Sequence, residues 1–223
     1  MATGSNNTVI AVVLLVAAAA LGYWTYGAHK KGESGKTGMA LAQETARHLQ
    51  EALSTEPGRP SPETVQAIGD YAAAASRNLE AVKRLDAAGN QALVDALDDY
   101  LLTSREILGR QAASYRFRGQ LLASTQALRD HMRADNHTGA WVREAVQAKE
   151  RVEKDYRDYA GAAEALDELL KSFPASQAKL ASHSRTAPLI DDKLVAEARK
   201  RSNAALKQAT DEVERIRQFT VRR

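Results

Sequence analysis

Leu93, Leu97, Tyr100, Ser104, Ile107, Gln111, Ser114, Arg118, Leu121, Thr125, Leu128 and Met132 recur at spacings of four and three without a slip. A 3.5-residue repeat of this kind occupies one face of a helix. A helix over 91–133 extends about 60 Å at 1.5 Å per residue. Such an element needs other long helices beside it, so the repeat points to an elongated, antiparallel helical bundle.

The middle of the seam, Gln111 to Arg118, is polar. A neighbouring row, Leu101, Leu108, Ala112, Tyr115, Gly119 and Leu122, is apolar where the first fails. The buried face therefore either rotates near residue 110 or widens there. A bundle with several neighbours accommodates both. A two-stranded coiled coil tolerates the polar stretch poorly, and self-association through the repeat stands as an alternative.

The flanking segments read as helices of unequal length. Met39 to Leu53 has Met39, Ala42, Ala46, Leu49 and Leu53 on one side, and Ser54 to Pro60 (STEPGRP) stops it. Ser61 is a good N-cap with Pro62 at the first helical position, opening a helix over 62–87. Gly89-Asn90 ends that helix or weakens a longer one. RADNHTG, Arg133 to Gly139, is a turn, with Asn136 or Thr138 as the cap of the next helix. That helix, over 139–172, carries Trp141, Ala145, Ala148, Val152, Tyr156, Tyr159, Ala163, Leu166, Leu170 and Phe173 on one face. Phe173-Pro174 breaks the pattern, and Ala175 to Ser182 reads as a separate short piece. The last helix, 189–220, has the mostly small face Leu194, Ala198, Ser202, Ala205, Ala209, Val213 and Ile216. Small side chains allow close approach to a larger partner, such as the helix bearing Trp141 and Tyr156. With little glycine, proline or aromatic residue content for its length, the chain is all-α, with a bundle domain over 39–223.

Before this bundle stands VIAVVLLVAAAALGYWTYGA, Val9 to Ala28, without a charge. Twenty uncharged residues, strongly apolar over Val9 to Leu21, match the span of a hydrocarbon core as a helix. Tyr23, Trp24 and Tyr26 suit the headgroup level, and Lys30 and Lys31 can reach the phosphates. The segment reads as a single transmembrane anchor in contact with the bilayer, after a short polar tail over 1–8. Ala17 to Ala20 and Gly27-Ala28 also offer small residues for a signal peptidase, but the first eight residues have no Lys or Arg, and the bulky Tyr-Trp-Thr-Tyr sits badly for cleavage. Residues 29–38, HKKGESGKTG, read as a flexible linker. The lysines after the span place the bundle on the cytoplasmic side by the positive-inside rule, with export of the bundle a familiar alternative.

The 31 Lys and Arg and 28 Asp and Glu give a net charge of +3. That balance argues against a nucleic-acid surface, the one cluster being Arg215, Arg217, Arg222 and Arg223. The absence of cysteine removes disulfides, thiolate metal sites and covalent haem. Lys36-Thr37 lacks the glycine offsets of a phosphate loop. No histidine comes three residues after a glutamate, as di-iron bundles require, and Glu44–His48 has no second copy. His131, Asp135 and His137 could offer one weak metal site, but histidines in a solvated turn explain them as well. No serine lies in G-x-S-x-G, and Asp98-Asp99 and Asp191-Asp192 read as solvated helix acids. No enzyme chemistry and no cofactor is expected.

Tyr115, Arg116, Phe117 and Arg118 remain as the candidate partner-binding surface, since aromatic and arginine side chains dominate binding hot spots. The plainer reading of the tyrosines is core packing with the hydroxyl at a polar rim. The functional expectation is a membrane-anchored, non-catalytic helical subunit acting in assembly, scaffolding or bridging with other protein subunits of a membrane complex. The alternative is a tethered binding or sensing module, with Gln111 and Arg118 lining a small-ligand pocket.

Overall fold

The computed structural model describes residues 35–85, 90–134 and 138–221. The anchor over 9–28, with Tyr23, Trp24, Tyr26, Lys30 and Lys31, lies outside them, as do Asp135, Asn136, His137, Arg222 and Arg223. Among the described residues the chain is all-helical, and no helix is long and apolar enough to cross a membrane.

Five helices succeed one another: α1 over 35–53, α2 Pro62–Lys83, α3 Gln91–Arg133, α4 Gly139–His183 and α5 Asp192–Val221. Consecutive helices run antiparallel, so α1, α3 and α5 point the same way. The α3 bounds are those of the repeat. The Ser61 hydroxyl accepts from the Thr64 amide at 3.2 Å, with Pro62 opening α2. Thr138 caps α4 through the Trp141 amide, also at 3.2 Å. Helix α2 closes at Lys83, earlier than expected, with the Arg84 amide donating to the Ala81 carbonyl at 3.2 Å and the Leu85 amide to the Val82 carbonyl at 2.9 Å.

Two expectations are corrected. Residues 35–38 belong to α1 and not to the linker. Gly38 is buried there, and a Cβ on it would stand 2.6 Å from Leu97 Cδ1 and 3.2 Å from Leu85 Cδ1. The glycine permits close helix approach at a point where flexibility seemed the simpler use. Pro174 does not end α4; it lies inside it. The proline removes one amide, the donor to the Leu170 carbonyl, but the turns beyond are held by packing. Phe173 and Leu180 are fully buried, the Ser176 hydroxyl donates to Asp99 Oδ2 at 3.1 Å, and Lys179 pairs with the same carboxylate at 3.4 Å.

Two apolar cores run along the bundle. The proximal one unites α1, α2, the first half of α3, the end of α4 and the start of α5, around Leu49, Leu53, Leu79, Leu97, Leu108 and Phe173. The distal one has only α3, α4 and α5, around Leu121, Leu128, Val152, Tyr159, Ala209 and Val213. Helix α1 lies along the first half of α3 and stops at residue 53. Beyond it no Cα of α3 comes within 8 Å of one of α5; both pack on α4 between them. The small face of α5 lies against α4, with the Tyr156 and Thr210 hydroxyls 2.9 Å apart.

The α4–α5 connection is locked by one buried amide. Gln177 accepts from the Ile190 amide at 2.6 Å and donates to the Ile190 carbonyl at 3.3 Å. Gln177→Ala leaves both backbone groups of Ile190 buried without partners. It is expected to lower stability by about 2 kcal/mol, read as a lower urea midpoint at unchanged slope when unfolding of the full chain is monitored by circular dichroism.

Candidate functional site at the step in the bundle

The polar middle of the α3 seam stays buried. Gln111, Ser114, Tyr115 and Arg118 are all within 3% of full burial, as is Leu108 in the neighbouring row. The face therefore widens and does not rotate. Its polarity has a structural cause, because here α1 ends and the 54–60 loop crosses α3. A helix end leaves its last carbonyls without intrahelical donors. Gln111 Nε2 donates to the Ala52 carbonyl at 2.7 Å, and the Tyr115 hydroxyl donates to the Thr55 carbonyl at 3.1 Å. From the other side Arg201 Nη2 donates to the Leu53 carbonyl at 2.5 Å. A cation there also opposes the negative end of the helix dipole.

The segment Tyr115–Arg118 does not form one surface. Tyr115 and Arg118 face the interior, Phe117 is half-buried against the distal core, and Arg116 is exposed with its guanidinium 4.8 Å from the Phe117 ring. A contact surface made of all four is excluded by this burial.

Arg118 is 2% exposed. Its Nε donates to the Gly58 carbonyl at 3.4 Å, and its guanidinium lies 5.5 Å from the centre of the Tyr159 ring. Its Nη1 has no acceptor, and the Tyr159 hydroxyl also has no partner, among the described residues. Burial pushes the Tyr159 phenol up to about 12, opposed in part by the Arg118 charge. Tyr115 is likewise raised, chiefly by burial, with the Thr55 and Gln111 hydrogen bonds opposing.

Arg118 also lines a cavity of about 830 Å3 between α3 and α5, floored by α4. The cavity continues the line of α1 past its C-terminus. Leu122, Leu128, Met132, Ala145 and Ile216 form its apolar walls. Arg59, Arg118, Arg129, Arg133, Lys149 and Arg215 face Asp211 and Glu212, a clear excess of positive charge. One strap crosses the gap, Arg129 Nη2 to Glu212 Oε1 at 2.7 Å. A second, shallower groove between α2, α3 and α4 has Arg105 and Arg110 balanced by Glu106 and Glu168.

The other candidates are structural in these surroundings. The His48 ring stacks on Tyr71 at 4.6 Å, and Glu44 accepts from Asn78. The His131 ring stacks on Trp141 and exchanges hydrogen bonds with it. Asp99 is occupied by Ser176 and Lys179, and Asp191 accepts from the Lys193 amide in the first turn of α5. No group of three or more His, Asp or Glu side chains placed to hold a metal ion occurs among the described residues. Sequence reasoning placed Gln111 and Arg118 together at a ligand pocket; only Arg118 lines this cavity, and Leu122, Arg129, Glu212 and Arg215 were missed because the sequence, which ends α1 at residue 53, does not show against which half of α3 it lies. Comparisons with protein-family models, with curated proteins and with solved structures return no match for this chain.

The buried phenols fix a pH dependence. The folded state holds the Tyr159 proton more tightly than the unfolded chain, where the phenol titrates near 10.0. Stability from this group is thus complete below pH 10 and is lost as pH rises towards 12. The expected loss is about 2 kcal/mol, seen as a falling melting temperature over that interval. Tyr159→Phe is expected to flatten the fall, and an unchanged slope in that variant would refute the assignment.

Proposed function

We propose that the chain is a membrane-anchored, non-catalytic helical subunit that serves assembly or bridging within a larger membrane-associated complex. The anchor is the apolar run over 9–28, with Tyr23, Trp24, Tyr26, Lys30 and Lys31 at its interface. The bundle is a spacer. Helix α1 begins beside the start of α3, with Gly35 3.6 Å from Leu93 by its Cβ position. The tip of the α3–α4 hairpin is at the other end, about 60 Å away along α3.

The observation that carries the reading is at that tip. Val142 and Val146 are 49% and 51% exposed and lie one turn apart on one side of α4. An apolar pair on the most distant turns of a rigid hairpin is placed to meet another subunit. A second reading, a tethered module for a small ligand, draws on the cavity between α3 and α5.

Purification of the full chain in mild detergent tests the first reading. A stoichiometric membrane-protein partner is expected with the wild type, and at least tenfold less of it with Val142→Glu/Val146→Glu at unchanged melting temperature. A partner-free monomer, or a partner indifferent to the double substitution, overturns it.

A further inference from the structure

We propose that the α3–α5 cavity binds an anionic amphiphile, a molecule with a single carboxylate or phosphate head and an apolar tail. The proposal rests on the second reading above and is independent of the hairpin tip. Its volume, about 830 Å3, falls in the range of small-ligand sites. The lining is divided along its length. Arg118, Gly58 and Arg59 lie at the inner end, where the loop crosses α3, while Leu122, Leu128, Met132 and Ile216 extend from there towards the hairpin.

Arg118 sets the charge of the ligand. It is a cation 98% removed from solvent; its Nε donates to the Gly58 carbonyl, its guanidinium lies 5.5 Å from the centre of the Tyr159 ring, and its Nη1 has no acceptor among the described residues. A buried charge without a counter-ion is unfavourable, and an anionic oxygen would offset that cost. Arg59 adds a second positive charge at the same end. The carboxylates, Asp211 and Glu212, stand on α5, and Glu212 is already engaged by Arg129. Of the residues that line the cavity, Arg118 is the one polar side chain that is buried. A small hydrophilic anion would leave these walls uncovered, and a cationic amphiphile would meet Arg118.

The test uses the full chain in phosphatidylcholine nanodiscs, titrated calorimetrically with decanoate against empty discs. Decanoate is expected to bind saturably at one per chain. Arg118→Met should weaken it at least tenfold, Arg59→Met severalfold, and Leu122→Trp, which fills the cavity from a half-exposed position, should abolish it. Should Arg118→Met fail to fold by circular dichroism, the Arg59 and Leu122 variants carry the test. Decyltrimethylammonium, with the same tail and opposite charge, should not saturate. If it saturates and is lost in Leu122→Trp, the cavity is a ligand site but the anionic assignment is overturned. If inorganic phosphate binds as well as decanoate, the tail plays no part and the proposal falls. If neither amphiphile nor phosphate saturates, both the proposal and the small-ligand reading fall.

Discussion

Helix α3 must be covered along its whole length, and the rest of the structure depends on how that is done. Its buried seam runs from Leu93 to Leu128. Helix α4 covers it throughout, but α1 covers only the first half. At the end of α1 the seam changes from leucine and isoleucine to Gln111, Ser114 and Arg118, because the facing surface changes from side chains to backbone carbonyls. Gln111, Tyr115 and Arg201 meet the Ala52, Thr55 and Leu53 carbonyls. These bonds fix the register of α1. A slide by one turn would keep apolar residues against apolar residues in the proximal core but would strip the carbonyls of their donors.

The same termination creates the cavity. In the proximal half α1 occupies the space between α3 and α5. Past residue 53 that space is empty of helix, and α5 cannot move in to fill it. Its small face, Ala205 and Ala209, is committed to α4, where close approach depends on those residues. The distal half is therefore three helices in a row, with α3 and α5 joined across the gap by the Arg129–Glu212 pair. A pair this exposed adds little to stability, so the shape of the gap is set by the packing of each helix on α4.

The elements legible in the sequence were those governed by local rules. The α3 bounds, the Ser61-Pro62 start of α2, the Thr138 cap and the apolar face of α4 all depend on spacing and capping within one segment. The hidden features depend on neighbours far away in sequence. Pro174 reads as a helix end because its missing amide is a local fact, whereas the burial of Phe173, Gln177 and Leu180 that overrides it is tertiary. Gly38 reads as flexible for the same reason, and only Leu97 and Leu85 show that it is a contact. Tyr115 and Arg118 carry two readings, surface and interior, because polarity on a seam has two meanings, solvent or a buried polar partner, and the partner is a loop more than fifty residues away. The position of Arg118 on an unbroken seam was the available signal that it is buried.

Arg118 is where the local and global requirements disagree. An apolar side chain would satisfy the seam, and a buried ion pair is often no better than such a replacement. Yet the guanidinium is present, without a carboxylate partner among the described residues. Arg118 Nη1 and the Tyr159 hydroxyl are both unmatched and belong to one cation–π pair. Along the same stretch Gln111 Nε2 and Tyr115 are engaged by the end of α1 and the loop, while Ser104 Oγ, Gln111 Oε1 and Thr125 Oγ1 also lack partners among the described residues. The α1–α2 loop reaches Arg118 only through Gly58, and there the protein runs out of acceptors beside an open cavity. A buried guanidinium beside a cavity whose apolar walls lead away from it is the physical basis of the proposed anionic ligand.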